Sequence, residues 1–173
     1  LGIASIVLVA PKQSVMDQLA AVGAQGLAGI EIEDPASSKL LPGLADLYFE
    51  LRKHKHVSKD VALAQAASPL IFSALMVRVG FADGTVGGAV ATTTETVRTA
   101  LQMIGKSEEA ALVSSFFLMV PPENHPSVPE TLVFSDCGLV IDPTAPELAS
   151  IAAASARSFT ALMGKPAYVG MLS

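Results

Sequence analysis

Apolar runs and helical patterns alternate along the 173-residue chain. Short apolar or β-branched runs predict strands at residues 6–10, 27–33, 85–88, 111–120, 131–135, 139–141 and 167–172. Helical spacing predicts helices at residues 13–22, 44–55, 59–67, 70–79, from about 92 to 104, and 146–163. This alternation is typical of an α/β fold, so we expect a three-layer αβα arrangement with a mostly parallel sheet.

A polar stretch at residues 105–109 (GKSEE) interrupts the pattern, and the composition changes there. We therefore predict a domain boundary within this stretch, which separates residues 1–107 from residues 108–173. The chain starts at Leu1 in the middle of a pattern and stops as another apolar run finishes. We expect it to be a piece of a larger protein.

The composition narrows the possible functions. Hydrophobic residues make up 51% of the chain, and its mean hydropathy is +0.52, which excludes a disordered chain. A net charge of −5 and few aromatic residues argue against a nucleic-acid partner. No apolar run reaches the roughly 18 residues of a membrane span, and the single cysteine, Cys137, cannot form an internal disulfide. We expect a cytoplasmic location with no membrane partner.

The segment at residues 83–102 (DGTVGGAVATTTETVRTALQ) is the strongest candidate for chemistry. Its three consecutive hydroxyls, Thr92, Thr93 and Thr94, stand at the entrance of a predicted helix. Free N–H groups and the positive end of the helix dipole make such an entrance suitable for an anion. Arg98 follows within two turns, and its guanidinium suits a phosphate.

A purely structural interpretation of this segment is also open. Thr92 and Glu95 have the spacing of a capping box, which would serve only to begin the helix. Arg98 would then be a solvated surface residue. The glycines match neither the dinucleotide fingerprint nor the phosphate-binding loop of nucleotide hydrolases.

A basic run, ELRKHKH at residues 50–56, closes a predicted helix in this acidic chain. Its Lys and His residues suit the C-terminal end of a helix dipole. Arg52 falls beside the apolar face instead, and an inward-pointing Arg needs an anionic partner. The histidines, His54, His56 and His125, lack metal-ligand spacing, so we expect no metal.

Several motifs, in this order, resemble the phosphate acetyltransferase (phosphotransacetylase) family of phosphate acetyl/butyryltransferases. They are ELRKHK at 50–55, ALMVRVGFADGTVGGA at 74–89, ATTTETVRTALQMIG at 91–105, SSFFLMV at 114–120, VFSDCGLVIDPTAPELASIA at 133–152 and VGMLS at 169–173. The resemblance covers nearly the whole chain, but only about the middle half of such an enzyme, whose two α/β domains enclose a cleft. It implies that residues 1–107 are the C-terminal part of the first domain and that residues 108–173 are the N-terminal part of the second.

The resemblance implies an acyltransferase of acetate metabolism that converts acetyl-CoA and phosphate reversibly into acetyl phosphate and CoA. The CoA thiolate would attack the acetyl carbonyl directly, without an acyl-enzyme, a covalently bound cofactor or a metal. Arg52 and Arg98 would be the catalytic residues at the phosphate end, and Thr92, Thr93 and Thr94 would bind phosphate or acetyl phosphate. The resemblance also implies small-molecule substrates and a homodimer in the full-length enzyme.

The sequence departs from the family pattern in places. Thr99 stands where the family often has Pro, and Ala91 where it often has His or Ser. The family's Ser-Arg catalytic loop, the Asp that would act as base on the CoA thiol, and most of the CoA pocket would lie beyond Ser173. We therefore expect this fragment to be inactive alone.

Three other interpretations stay open. The first is a non-catalytic domain that senses acetyl-CoA, as in phosphate-acetyltransferase-like domains fused to malic enzymes. The second is a phosphate butyryltransferase, which has the same chemistry and a larger acyl pocket. The third is a purely structural α/β module, which would hold no anion near Thr92, Thr93 and Thr94.

Overall fold

The structure of the chain is a computed structural model that describes residues 4–26, 28–108, 110–124, 126 and 130–172. His125 and part of the Pro-rich loop at residues 121–129 lie outside the described residues. Residue contacts divide the chain into two units, Leu1–Gly105 and Lys106–Ser173. We call them unit 1 and unit 2 and describe each separately.

In its described residues, unit 1 combines a parallel strand pair with five α-helices and a short 3₁₀ helix at Lys53–Lys55. Its elements are β1 (Ile6–Val9), α1 (Lys12–Ala21), β2 (Ile30–Glu33), α2 (Leu41–Arg52), α3 (Lys59–Ala66), α4 (Pro69–Arg78) and α5 (Thr93–Met103). β1 pairs with β2 in parallel, with Ile6 opposite Ile30 and Val9 opposite Glu33. Because parallel neighbours need a crossover connection, the intervening α1 makes this a strand–helix–strand unit.

The core of unit 1 lies among α2, α3, α4 and α5. Phe72 and Leu75 of α4 and Met103 of α5 are fully buried, and α2 adds Leu44 and Tyr48. α4 begins with Pro at its first position, where the missing N–H costs no helical hydrogen bond, and its apolar sequence is then buried. This packing fixes the two helices that carry Arg52 and Arg98.

Unit 2 contains β3 (Phe116–Met119), β4 (Leu132–Ser135) and α6 (Ala145–Met163). β3 and β4 pair antiparallel, with Phe116 opposite Ser135. α6 begins at a capping box and ends at Gly164, whose φ of 66° suits a residue without a side chain. Ile151 is the one buried hydrophobic residue in the described part of unit 2.

The α/β class is confirmed, and every predicted helix is present with ends shifted by a few residues. Three predicted strands are wrong. The segments 85–88, 139–141 and 167–172 are irregular and pair with no strand among the described residues. An apolar run becomes a strand only where a neighbour satisfies its backbone groups. The antiparallel β3–β4 pair also departs from the expected mostly parallel sheet.

In the described part of the chain, no single helix is both long and apolar enough to cross a bilayer. α3 and α4 pass the length and composition test only as a pair, and that pair is bent by 94° at the break between them.

Candidate functional site

The entrance of α5 is built by a capping box, as the structural interpretation of the sequence predicted. Thr92 is the N-cap, and its Oγ1 accepts a hydrogen bond from the Glu95 backbone N–H at 3.2 Å. The Glu95 carboxylate accepts in return from the Thr92 backbone N–H and from the Thr92 hydroxyl, both at 2.8 Å. The box therefore begins the helix by satisfying two of its first donors.

This geometry separates the three threonines by role. The Thr92 hydroxyl proton is committed to Glu95, so that hydroxyl has no donor left for a ligand. Thr93 and Thr94 occupy the first two helical positions and are exposed, and their hydroxyls bond to none of the other described residues. Backbone N–H groups at these positions have no intrahelical partner. The entrance thus offers two hydroxyls and two amides to an outside group.

Arg98 lies on α5 in the turn that follows, exposed to solvent. It makes no hydrogen bond or ion pair with another described residue, so the chain by itself leaves the Arg98 guanidinium solvated. Its positive charge acts on the nearby carboxyl of Glu95. The pKa of the Glu95 carboxyl is lowered mainly by the hydrogen bonds from the Thr92 backbone and side chain, and further by the charge of Arg98.

Arg52 is the last residue of α2 and is half-buried. Its Nε is shielded from solvent and has no hydrogen-bond partner among the described residues. A buried N–H of a charged group is costly to leave unpaired, so Arg52 stays the candidate for an anionic partner that its place beside the apolar face suggested. α2 also contacts α5, which places Arg52 and Arg98 on neighbouring helices of unit 1.

The loop before α5 approaches the helices closely. A side chain at Gly87 would lie 3.4 Å from Leu70 Cδ1 and 3.9 Å from Thr96 Cγ2. Gly88 has a φ of 111°, which residues with side chains rarely adopt. Gly87 therefore lies against α4 and α5, whereas a side chain at Gly88 would meet nothing within 4 Å, so the positive φ is what favours glycine there.

The far end of α5 is held by a residue that the sequence analysis did not single out. Arg78, at the end of α4, donates from Nη1 to the Ile104 carbonyl at 2.5 Å. A guanidinium there satisfies a carbonyl that the helix end leaves open and complements the helix dipole. Only the three-dimensional packing of α4 on α5 could have shown this contact.

Unit 2 contains a polar cluster centred on Asp136, which directly follows β4. Its carboxylate accepts from the Ser115 backbone at 2.7 Å and hydroxyl at 3.0 Å, and from the Gly138 and Leu139 backbones at 2.7 and 2.8 Å. Partial burial acts to raise the pKa of Asp136, but these hydrogen bonds outweigh it and lower the pKa to about 2. The Asp-Cys-Gly sequence was a turn signal that pointed to the local part of this cluster.

The cluster fixes Cys137 as well. The Cys137 thiol donates to the Phe134 carbonyl at 2.9 Å, and its backbone N–H donates to the Ser115 hydroxyl at 3.2 Å. The side chains of Ser115, Asp136 and Cys137 all have hydrogen-bond partners within unit 2, so this cluster is a structural link between β3 and β4.

Neither an open cavity of unit 1 nor a metal-ligand cluster offers a competing site among the described residues. An open cavity of about 410 Å³ lies at the carboxyl ends of β1 and β2, between Lys12 and residues 32–40, and contains none of the predicted site residues. In the described ranges, no group of three or more His, Cys, Asp or Glu side chains is arranged to hold a metal ion. The α5 entrance remains the candidate site.

A parallel strand–helix–strand unit and an open helix entrance, with Arg98 on that helix and Arg52 on a helix in contact with it, define an α/β protein with a candidate anion site. Matching the family described as "Phosphate acetyl/butaryl transferase" over residues 1–173, the chain belongs to the phosphate acetyl/butyryltransferase family.

Known relatives agree with this assignment. The chain is 43% identical over 152 residues to "Phosphate acetyltransferase" of Paracoccus denitrificans, a match that covers 88% of this chain and 48% of the relative. It is 39% identical over 172 residues to the protein of the same name from Acetivibrio thermocellus, with 99% and 51% covered. The chain therefore spans about half the length of these curated relatives.

The fold is also that of solved members of the family. "EutD phosphotransacetylase from Staphylococcus aureus" superposes with a TM-score of 0.77 at 28% identity, over 91% of this chain and 45% of that one. A phosphotransacetylase from Streptococcus pyogenes gives a TM-score of 0.73 at 30% identity. The predicted resemblance is confirmed.

Proposed function

We propose that the complete protein is a phosphate acetyltransferase that moves an acetyl group reversibly between CoA and inorganic phosphate. Family membership and the names of the relatives support this activity. The family description covers both acetyl and butyryl transfer, and the acetyl group is chosen because the relatives reported above are named for it. We further propose small-molecule substrates, no bound metal or covalent cofactor, a cytoplasmic location and a homodimer.

In this proposal, phosphate or the phosphate end of acetyl phosphate binds at the entrance of α5. The observation that carries the proposal is the set of open donors there: the hydroxyls and amides of Thr93 and Thr94, with Arg98 in the following turn. Such a helix start, reinforced by a guanidinium, matches the needs of a phosphate. Thr92 serves the site by positioning, because its hydroxyl holds the first turn through Glu95.

Arg52 is proposed as the second arginine of the site. Its shielded Nε lacks an acceptor among the described residues, and an anionic ligand would supply one. α2 contacts α5, so a ligand at the α5 entrance is on a neighbouring element. The two guanidiniums together would match the two negative charges of the phosphate group.

The chemistry follows from where charge develops. A deprotonated CoA thiol attacks the acetyl carbonyl carbon of acetyl phosphate; the C–S bond forms, and the C–O bond to phosphate breaks. The phosphate leaves with the electron pair of that bond, so negative charge grows on it in the transition state. Fixed donors aimed at this charge lower the barrier, and they also orient the acyl carbon toward the sulfur.

The test is Arg98→Ala in the complete protein, with Arg157→Ala as a matched control. Arg157 is also an exposed arginine within a helix, but it lies on α6 in unit 2. We expect kcat/KM for acetyl phosphate to fall by about 10²-fold or more in the Arg98 variant, and to stay within about twofold in the control. An unchanged kcat/KM in the Arg98 variant would contradict the proposal that phosphate binds at the α5 entrance.

A further inference from the structure

Two of the described helices begin with a capping box, and the carboxylate of each box accepts the same two hydrogen bonds. The Glu95 backbone N–H also donates to the Thr92 hydroxyl at 3.2 Å. At α5, the Glu95 carboxylate accepts from the Thr92 backbone N–H and hydroxyl at 2.8 Å each. At α6, the Glu147 carboxylate accepts from the Thr144 backbone N–H and hydroxyl at 2.8 and 2.7 Å. At the start of both helices, one carboxylate therefore accepts the backbone N–H and the hydroxyl hydrogen of the N-cap threonine.

The two boxes differ in their surroundings. The first two helical positions of α5 are Thr93 and Thr94, which offer amides and hydroxyls to an anion. The corresponding positions of α6 are Ala145 and Pro146, which have no hydroxyl, and Pro has no N–H. Only the α5 box places its carboxylate among groups that suit a bound anion.

Glu95 also affects the charge of that surface. Its pKa is lowered by the Thr92 hydrogen bonds and by Arg98, so the carboxylate is ionised at neutral pH. The attraction is mutual: the negative charge of Glu95 offsets part of the positive potential that Arg98 and the helix end present. An incoming phosphate dianion meets this fixed negative charge at the same helix end.

We propose that Glu95 sets the phosphate affinity of the α5 site. Its hydrogen bonds hold the first turn, and hence Thr93 and Thr94, in position, while its charge weakens the binding of the dianion. Glu95 is thus a positioning residue that keeps phosphate and acetyl phosphate exchangeable. This inference rests on the proposed function, because it needs phosphate to bind at the α5 entrance.

The test is Glu95→Gln in the complete protein. Gln at this position of a capping box keeps the hydrogen-bonded geometry and removes the charge. We expect KM for inorganic phosphate to fall about two- to fivefold, which is the size of a single charge effect at an exposed helix end. The effect should shrink in about 0.5 M salt, because exposed charges are screened there, whereas a purely structural effect would persist.

Glu147→Gln is the matched control, since it makes the same change in the box of α6. It should cause a similar small loss of thermal stability and leave KM for phosphate unchanged. If Glu95→Gln leaves this KM unchanged or raises it, or if both variants shift it equally, the role of Glu95 is overturned. If Arg98→Ala still weakens phosphate use in that case, the proposed site stands; if Arg98→Ala has no effect either, the site fails as well.

Discussion

Unit 1 and unit 2 differ in how completely they bury their apolar residues. Unit 1 has a core in which Phe72 and Leu75 are fully buried between four helices. In the described part of unit 2, Ile151 is the single buried hydrophobic residue, and Phe117 on β3 is 60% exposed. Unit 2 therefore buries far fewer of its described apolar side chains than unit 1 does.

This difference bears on where the candidate site lies and on what stabilises each unit. The candidate site lies on α2 and α5, and the core of unit 1 fixes both helices. Unit 2 relies instead on local polar bonds, above all those around Asp136. We therefore expect unit 1 to be stabilised mainly by apolar packing, and unit 2 to depend more on its hydrogen-bonded cluster.

The largest expected effect compares the same substitution in the two units. Phe72→Ala should lower the free energy of unfolding by about 3–5 kcal/mol, because it leaves a cavity in the core. Phe117→Ala should change it by no more than about 0.5 kcal/mol, because that ring is exposed. Urea-dependent hydrogen exchange of the amides in α4 and in β3 follows the unfolding of unit 1 and of unit 2 separately. Equal losses of unfolding free energy in the two variants would contradict the claim that unit 1 alone depends on a buried apolar core.

A smaller effect should follow from Asp136→Ala. It removes an acceptor shared by the Ser115, Gly138 and Leu139 backbones, and we expect a loss of about 2–3 kcal/mol confined to unit 2. Amide hydrogen exchange at Gly138 and Leu139 measures it. Asp142→Ala is the control, since Asp142 is exposed and makes no hydrogen bond with the other described residues. Similar exchange in both variants would show that the cluster contributes nothing.

The same carboxylate gives the cluster a dependence on pH. Its pKa in the folded chain is about 2, below the ordinary value of 3.8 that it regains on unfolding. A lowered pKa stabilises the folded state fully above about pH 5, and this contribution is lost as the pH falls through 4 toward 2. Protection of the Gly138 and Leu139 amides should decline over that window, and Asp136→Ala should abolish the decline. If the amides lose protection over the same pH range in Asp136→Ala, other titrating groups cause the loss.

The helices and the start of the candidate site could be predicted because their signals are local. Ser58 caps α3 by accepting from the Val61 backbone N–H, and the Thr92–Glu95 spacing produces the capping box of α5. Each of these features depends on residues within one turn of one another. The sequence could not show that the box removes the Thr92 hydroxyl from the set of free donors, because that depends on where one proton points.

The strands and the long-range contacts were less predictable. Residues 85–88 and 167–172 have the apolar composition of strands, but no described neighbour pairs with them. Asp136 reaches Ser115, 21 residues away, and Arg78 reaches Ile104, 26 residues away. Such contacts follow from how elements pack, which a local pattern does not specify. The shielded Nε of Arg52 is a feature of the same kind.

The binding of inorganic phosphate to the complete protein, measured by ³¹P NMR titration, tests the central claim most directly. The unmodified protein, Arg98→Ala and Arg157→Ala would be compared at the same low ionic strength. If the α5 entrance holds phosphate, the dissociation constant should rise about tenfold or more in Arg98→Ala and stay unchanged in Arg157→Ala. Equal phosphate affinity in all three proteins would contradict the account.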